Sequence, residues 1–221
     1  MNVKNNIEKF TQTLPAGCRL IAVSKTQPVE KIQEAYAAGQ RLFGENKAQE
    51  LTTKYEVLPK DIEWHMIGHL QSNKVKYIIP FVHLIHAVDS LKLLAEIDKQ
   101  AGKVNRVVNC LLQIYIAAED TKFGFSETEL SEMLQSDEFT NLKNINVIGL
   151  MGMATLTADQ DQIRKEFKSL KALFDKIKLM KLPSVEMKEL SMGMSGDYKI
   201  AIEEGSTLIR IGTAIFGERN Y

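Results

Sequence analysis

The chain has 221 residues, 44% hydrophobic and 25% charged, enough apolar material for one globular core and too little polar bias for disorder. Its 28 basic side chains balance 28 acidic ones. That balance excludes a general electrostatic pull toward nucleic acid or an anionic membrane, so any anion site must be built locally. The two cysteines, Cys18 and Cys110, match no disulfide or metal spacing, which suits a reducing, cytoplasmic setting.

In chain order, Met1–Phe10 lacks the apolar run of a signal peptide and carries Glu8, so an amphipathic helix over residues 1–14, packed on the body of the domain, is expected. No apolar run is long enough to span a bilayer. Strands are expected at Leu20–Ser24, Arg41–Phe43, Glu63–Ile67, His83–Ala87, Val107–Ile116, Asn146–Leu150, Glu189–Ser191 and Leu208–Ile211. These runs are rich in Val, Ile and Leu with little polar alternation, the pattern of strands covered on both faces. Helical spacing joins Leu91, Leu94 and Ile97, and again Ile163, Phe167, Leu170, Phe174 and Ile177. Strands separated by helices imply βαβ units and a parallel sheet. Eight of them predict an α/β fold of one domain over residues 1–221, a closed (β/α)8 TIM barrel, with an open doubly wound sheet as the alternative.

Barrel chemistry sits at the C-terminal ends of the strands, and phosphate is commonly held by the loops after strands seven and eight. Those two loops read Ser191-Met192-Gly193-Met194-Ser195-Gly196-Asp197 and Gly212-Thr213. Glycine lets backbone N–H groups approach a ligand closely, and hydroxyls add donors. Each turn alone is as simply explained by Ser195 or Asp197 capping a helix; the pair points to a phosphate ligand. Arg210, in an otherwise apolar strand, is either a guanidinium reaching toward the barrel mouth or a fixed cation facing a ligand. Lys25 ends strand one on the face shared by Ile21 and Val23, so an inward-facing strand aims its amine into the mouth. Its plain alternative is a solvated strand-end lysine. His65 and His69 have the spacing of a zinc helix, but no Glu follows His65 and the segment reads as strand then loop, so no metal site is expected. His83 and His86 fall on opposite strand faces and read as packing or surface residues. Met66, Met151, Met153, Met192 and Met194 crowd the strand ends, either as adaptable filler or as the lining for a flat aromatic ligand. No nucleophile elbow, catalytic cysteine arrangement or P-loop is present, and no catalytic residue is assigned.

The segments Ala22-Val23-Ser24-Lys25-Thr26, Phe43-Gly44-Glu45-Asn46, Trp64-His65-Met66-Ile67-Gly68-His69-Leu70-Gln71-Ser72-Asn73-Lys74, Gly149-Leu150-Met151-Gly152-Met153 and the strand-seven loop together resemble the pyridoxal 5′-phosphate (PLP) homeostasis family. These proteins are also called proline synthase co-transcribed homologues. The closing run Arg210 to Arg219 fits the same pattern, and the resemblance extends from about residue 20 onward. It implies a fold type III barrel like the N-terminal domain of alanine racemase, with PLP as a Schiff base on Lys25. It further implies that Ser195, Gly212 and Thr213 hold the phosphate, that Arg210 faces the pyridine nitrogen and that Asn46 lines the pocket. Lys47, where an aromatic residue is usual, and Tyr115, where Asn is common, depart from the family pattern.

The implied role is to buffer or deliver PLP without turnover, as a monomer whose partners are PLP and PLP-dependent apo-enzymes. The rival reading is an amino-acid racemase, since PLP can do that chemistry. An arginine opposite the pyridine nitrogen disfavours its protonation, but racemases share that arginine. What weighs against a racemase is its need for an acid/base from a second domain that a chain of this length has no room for. A Schiff-base aldolase is a more distant alternative, and would be colourless.

Overall fold

The computed structural model describes residues 2–118 and 123–217. Eight parallel strands close on themselves in sequence order. They are β1 (Arg19–Val23), β2 (Leu42–Glu45), β3 (Glu63–Met66), β4 (Leu84–Val88), β5 (Val108–Ile114), β6 (Ile145–Gly152), β7 (Val185–Ser191) and β8 (Leu208–Ile211). Closure comes from β1 lying beside β8, with Arg19 opposite Leu208, Leu20 opposite Ile209, Ile21 opposite Arg210 and Ala22 opposite Ile211. The closed barrel, not the open sheet, is what forms.

The helices around it are α1 (Val3–Thr13), α2 (Val29–Ala37), α3 (Ala48–Val57), α4 (Val75–Ile78), α5 (Leu91–Lys103), α6 (Glu127–Gln135), α7 (Asp137–Thr140), α8 (Gln160–Met180), α9 (Tyr198–Glu203) and α10 (Thr213–Phe216). Helix α8 shows why they form. Asp159 caps its start by accepting from the N–H groups of Asp161 and Gln162, and the predicted stripe Ile163, Phe167, Leu170, Phe174 and Ile177 is buried against the barrel. Each such side chain contributes roughly 1.5–3 kcal/mol through removal of apolar area from water. On α5, Leu94 and Ile97 are buried and Leu91 is partly buried. Helix α1 buries Val3 and Ile7, and its Asn6 Nδ2 donates to the Ile215 carbonyl at 2.9 Å, bracing the turn after β8.

Among the described residues two apolar cores result. The larger lies between strands and helices; the smaller fills the barrel with Ile21, Leu84, Ala87, Leu111, Met151 and Leu208. Where boundaries differ from the sequence reading, the cause is local. Strand β7 starts at Val185, well before the expected Glu189, because Val185-Glu186-Met187-Lys188 alternates between half-buried or buried and exposed positions instead of being apolar throughout. Strand β2 runs on through Gly44 and Glu45, so Glu45 is a buried strand residue instead of a loop residue. Strand β5 stops at Ile114 because the Tyr115 N–H turns away to the Phe125 carbonyl. His83 precedes β4 and is exposed, while His86 lies buried within the strand. Strand β8 matches its expected range. Glu218 and Arg219 lie outside the described residues.

Candidate functional site

At the C-terminal end of the barrel, Lys25, Asn46, Ser195, Arg210, Gly212 and Thr213 all line one cavity of about 290 Å³, together with Val23, Ile67, Met153, Met194 and Gly196. The six residues expected from sequence are therefore brought together. They come from four places: the ends of β1, β2 and β8, and the loop after β7. Asn46 is held by a close approach, because a Cβ on Gly68 would sit 2.6 Å from the Asn46 carbonyl oxygen. Gly193 turns the β7 loop with φ +94°, and a Cβ there would meet the Ala201 Cβ at 2.6 Å. No side chain caps α9: its N-cap, Asp197, instead accepts from the Met194 N–H at 2.5 Å and so closes the loop on itself. Ser195 is left exposed at the cavity.

Arg210 is buried. Its Nη1 donates to Ser191 Oγ at 2.6 Å and its Nη2 to the Gly152 carbonyl at 3.1 Å. Both partners are neutral. Burial pulls its pKa down to about 10, partly offset by the Asp197 carboxylate, so the guanidinium stays charged at neutral pH. A buried cation with neutral partners and one face on a cavity is suited to an electron-rich group of a ligand.

Beneath Lys25 lies a network that sequence reasoning missed. Glu45 is fully buried; its Oε1 accepts from Ser24 Oγ at 2.6 Å and from Lys54 Nζ at 2.8 Å. Lys54 Nζ also donates to the Ser24 carbonyl and to Glu50 Oε1, and Glu50 Oε1 takes the Thr26 N–H at 2.6 Å. The two residues flanking Lys25 are thus pinned by one buried ion-pair cluster. Burial raises the Glu45 pKa to about 7 despite Lys54 and Ser24, consistent with an Oε2 that has no partner among the described residues. The available signal was Glu45 and Lys54 nine residues apart, a separation that no local spacing rule reads.

A second polar string crosses the barrel interior from Arg210. Ser191 Oγ lies 2.9 Å from His86 Nδ1, and His86 Nε2 lies 2.8 Å from His65 Nδ1. Burial drives both histidines well below the usual imidazole range, so the rings are neutral. His69, by contrast, lies beyond the end of β3, exposed against Asp89 Oδ2 at 3.2 Å. The two departures from the family pattern fall beside the main cavity, not in it. Lys47 lines a neighbouring hollow with Asn46, His69 and Lys74, and Tyr115 lines another that shares Met153.

A closed (β/α)8 barrel with a strand-one lysine, a strand-eight arginine and hydroxyl-bearing glycine turns around one mouth is a barrel of the alanine-racemase type. The family model for the alanine racemase N-terminal domain matches residues 1–220. Pyridoxal phosphate homeostasis proteins of Aquifex aeolicus (43% identical, covering 92% of this chain and 88% of that protein) and of a Synechocystis strain (40%, 94% of each) are similar over nearly their whole length. The chain belongs to the pyridoxal phosphate homeostasis family within the alanine-racemase-like barrels. Among solved structures, PipY of Synechococcus elongatus without PLP aligns with TM-score 0.90 at 36% identity, covering 97% of this chain and 100% of that one. PipY with PLP bound aligns with TM-score 0.87 at 35% identity, with the same coverage. Alanine racemase from Clostridium difficile is 16% identical with TM-score 0.78 over 56% of its own chain, a likeness of fold.

Proposed function

We propose that this protein binds PLP at the barrel mouth, attached covalently through Lys25, and buffers or delivers it to PLP-dependent enzymes. The observation that carries the reading is the convergence of an amine, a buried guanidinium and two hydroxyl-bearing glycine turns on one cavity. The donor set fits the cofactor: cations and N–H and O–H donors for an anionic phosphate, and an apolar wall of Val23, Ile67 and Met153 for a flat ring. PLP-bound PipY and the homeostasis relatives support the same ligand. When bound, PLP supplies an aldehyde for amines and an electron-withdrawing ring.

In this reading Lys25 contributes the nucleophilic amine, held in place by the Ser24–Glu45–Lys54 cluster under the strand end. Ser195, Thr213 and the backbone N–H groups at Gly212 and Thr213 receive the phosphate, and Asn46 flanks the ring. Arg210 keeps its proton and donates toward the pyridine nitrogen, which weakens the ring as an acceptor of carbanion charge. The protein acts as one unit, a cytoplasmic monomer; among the described residues no helix is long and apolar enough to cross a membrane.

The test is the visible spectrum of purified protein before and after borohydride, followed by peptide mapping. A yellow protein whose reduced adduct maps to Lys25 is expected. A colourless protein that takes up no PLP, or an adduct on Lys47 or Lys74, would reject the assignment. For turnover, deuterium exchange at Cα of alanine is expected at the rate of free PLP. Faster exchange that vanishes in Lys25→Ala would make the protein an enzyme.

A further inference from the structure

The opposite end of the barrel holds a cluster that PLP binding does not use. Glu63 opens β3, and His65 lies two residues on along the same face. The His83 N–H donates to the Trp64 carbonyl at 2.9 Å, which sets His83 beside them at the start of β4. One ligand atom from each of Glu63, His65 and His83 lies within 4.8 Å of the others. Glu63 Oε2 and His83 Nε2 are 3.5 Å apart, close to the about 3.3 Å edge of a tetrahedron with 2.0–2.1 Å metal bonds.

The second observation is His65 itself. Its ring is buried, Nδ1 is taken by His86, and Nε2 has no hydrogen-bond partner among the described residues. Arg210 can only donate to Ser191 Oγ, which has two lone pairs. If His86 Nδ1–H donates to the second, then His65 Nδ1–H donates to His86 Nε2, and His65 Nε2 carries a lone pair. The opposite polarity would strand an N–H donor, and buried donors are orphaned less readily than acceptors. A neutral imidazole whose other nitrogen donates inward is how metal-bound histidines are held. Glu63 and His83 are part-exposed and can close on an ion, and solvent completes the coordination. The nearby charge of Arg19 is offset by Glu189 at 2.5 Å.

We propose that Glu63, His65 and His83 form a binding site for a divalent transition metal of the zinc class at the floor of the barrel, below the cavity and joined to its Arg210 through His86 and Ser191. The ligand set, two imidazoles and one carboxylate, suits zinc over magnesium or calcium, which prefer oxygen ligands. His65, paired with His69 by spacing, thus has its partners across the β3–β4 pair.

The test uses untagged full-length protein titrated with Co2+ and monitored by its visible d–d absorption, with Zn2+ as competitor. One equivalent of Co2+ in a tetrahedral-type spectrum, displaced by Zn2+, is expected. Affinity should fall by more than about tenfold in both His83→Ala and Glu63→Gln, whose part-exposed side chains leave the fold and PLP content unchanged. Zn2+ should raise the melting temperature of the wild type but not of His83→Ala. An absence of saturable binding overturns the proposal. So does binding that survives His83→Ala, or that is lost in His69→Ala instead, since either places the ion elsewhere.

Discussion

The mouth and the floor of this barrel both present titratable groups, yet they are built on different terms. At the mouth, Lys25, Asn46, Ser195 and Thr213 stand in a cavity on loops and strand ends, and the rigidity comes from beneath, through Glu45 and Lys54. Nearer the floor, Leu42, Leu84 and Leu208 pack the interior, and the polar groups are His65 and His86, bonded to each other. Chemistry at the mouth can therefore change without moving the barrel, whereas changes to the buried residues nearer the floor, His65, His86, Leu84 and Leu208, are changes to the core.

The sharpest test of that division is Lys25→Ala. Covalent attachment should be abolished, with no yellow colour and nothing fixed by borohydride. Melting should barely move, because a strand-end lysine contributes little packing. Reversible PLP binding should survive at reduced affinity through Ser195, Gly212, Thr213 and Arg210; a folded variant with no residual affinity would mean that those loops count for little. Leu84→Ala is the counterpart at the floor. It should cost roughly 2–5 kcal/mol of stability in urea denaturation while leaving PLP uptake intact below the transition.

A smaller effect is expected for Ser195→Ala, on the order of 1–3 kcal/mol of PLP affinity, with little change for pyridoxal, which lacks the phosphate. Equal weakening of both ligands would show a role in shaping the loop instead. Glu45 gives a pH signature. Its folded pKa of about 7 lies above the ordinary 4.5, so the folded state holds the proton more tightly. The stabilisation is complete below 4.5 and is lost as pH rises toward 7, and Glu45→Gln should flatten that slope in denaturant titrations. The smallest change is expected from Lys47→Ala and Tyr115→Ala, which line neighbouring hollows; a PLP affinity shifted beyond error by either would extend the site past its main cavity.

The mouth was legible in the sequence for a physical reason. Strand parity places Lys25 on the face of Ile21 and Val23, and the barrel rule points to the loops after β7 and β8. The choice of Lys25, Ser195, Gly212 and Thr213 over their plain alternatives came from the family resemblance. The strands were legible as apolar runs, except where burial alternates, as at Val185–Lys188. What stayed hidden depends on pairing across strands. Glu45 and Lys54 meet because β2 runs two residues beyond its apolar stretch, and His65 meets His86 and His83 through barrel closure and the β3–β4 register. Those partnerships have no period.

Closure of β1 on β8 also has a consequence for the order of events in biosynthesis. Ile21 and Arg210 are neighbours in the barrel but lie at opposite ends of translation. At about 5–20 residues per second, roughly 10–40 s separate the emergence of Lys25 from that of Arg210. For most of that interval the amine exists without its arginine or either hydroxyl-bearing turn, and until β8 is made β1 lacks its closing partner. On the proposed reading, the complete site forms only with the last strand, and full-affinity uptake of PLP there would report a closed barrel.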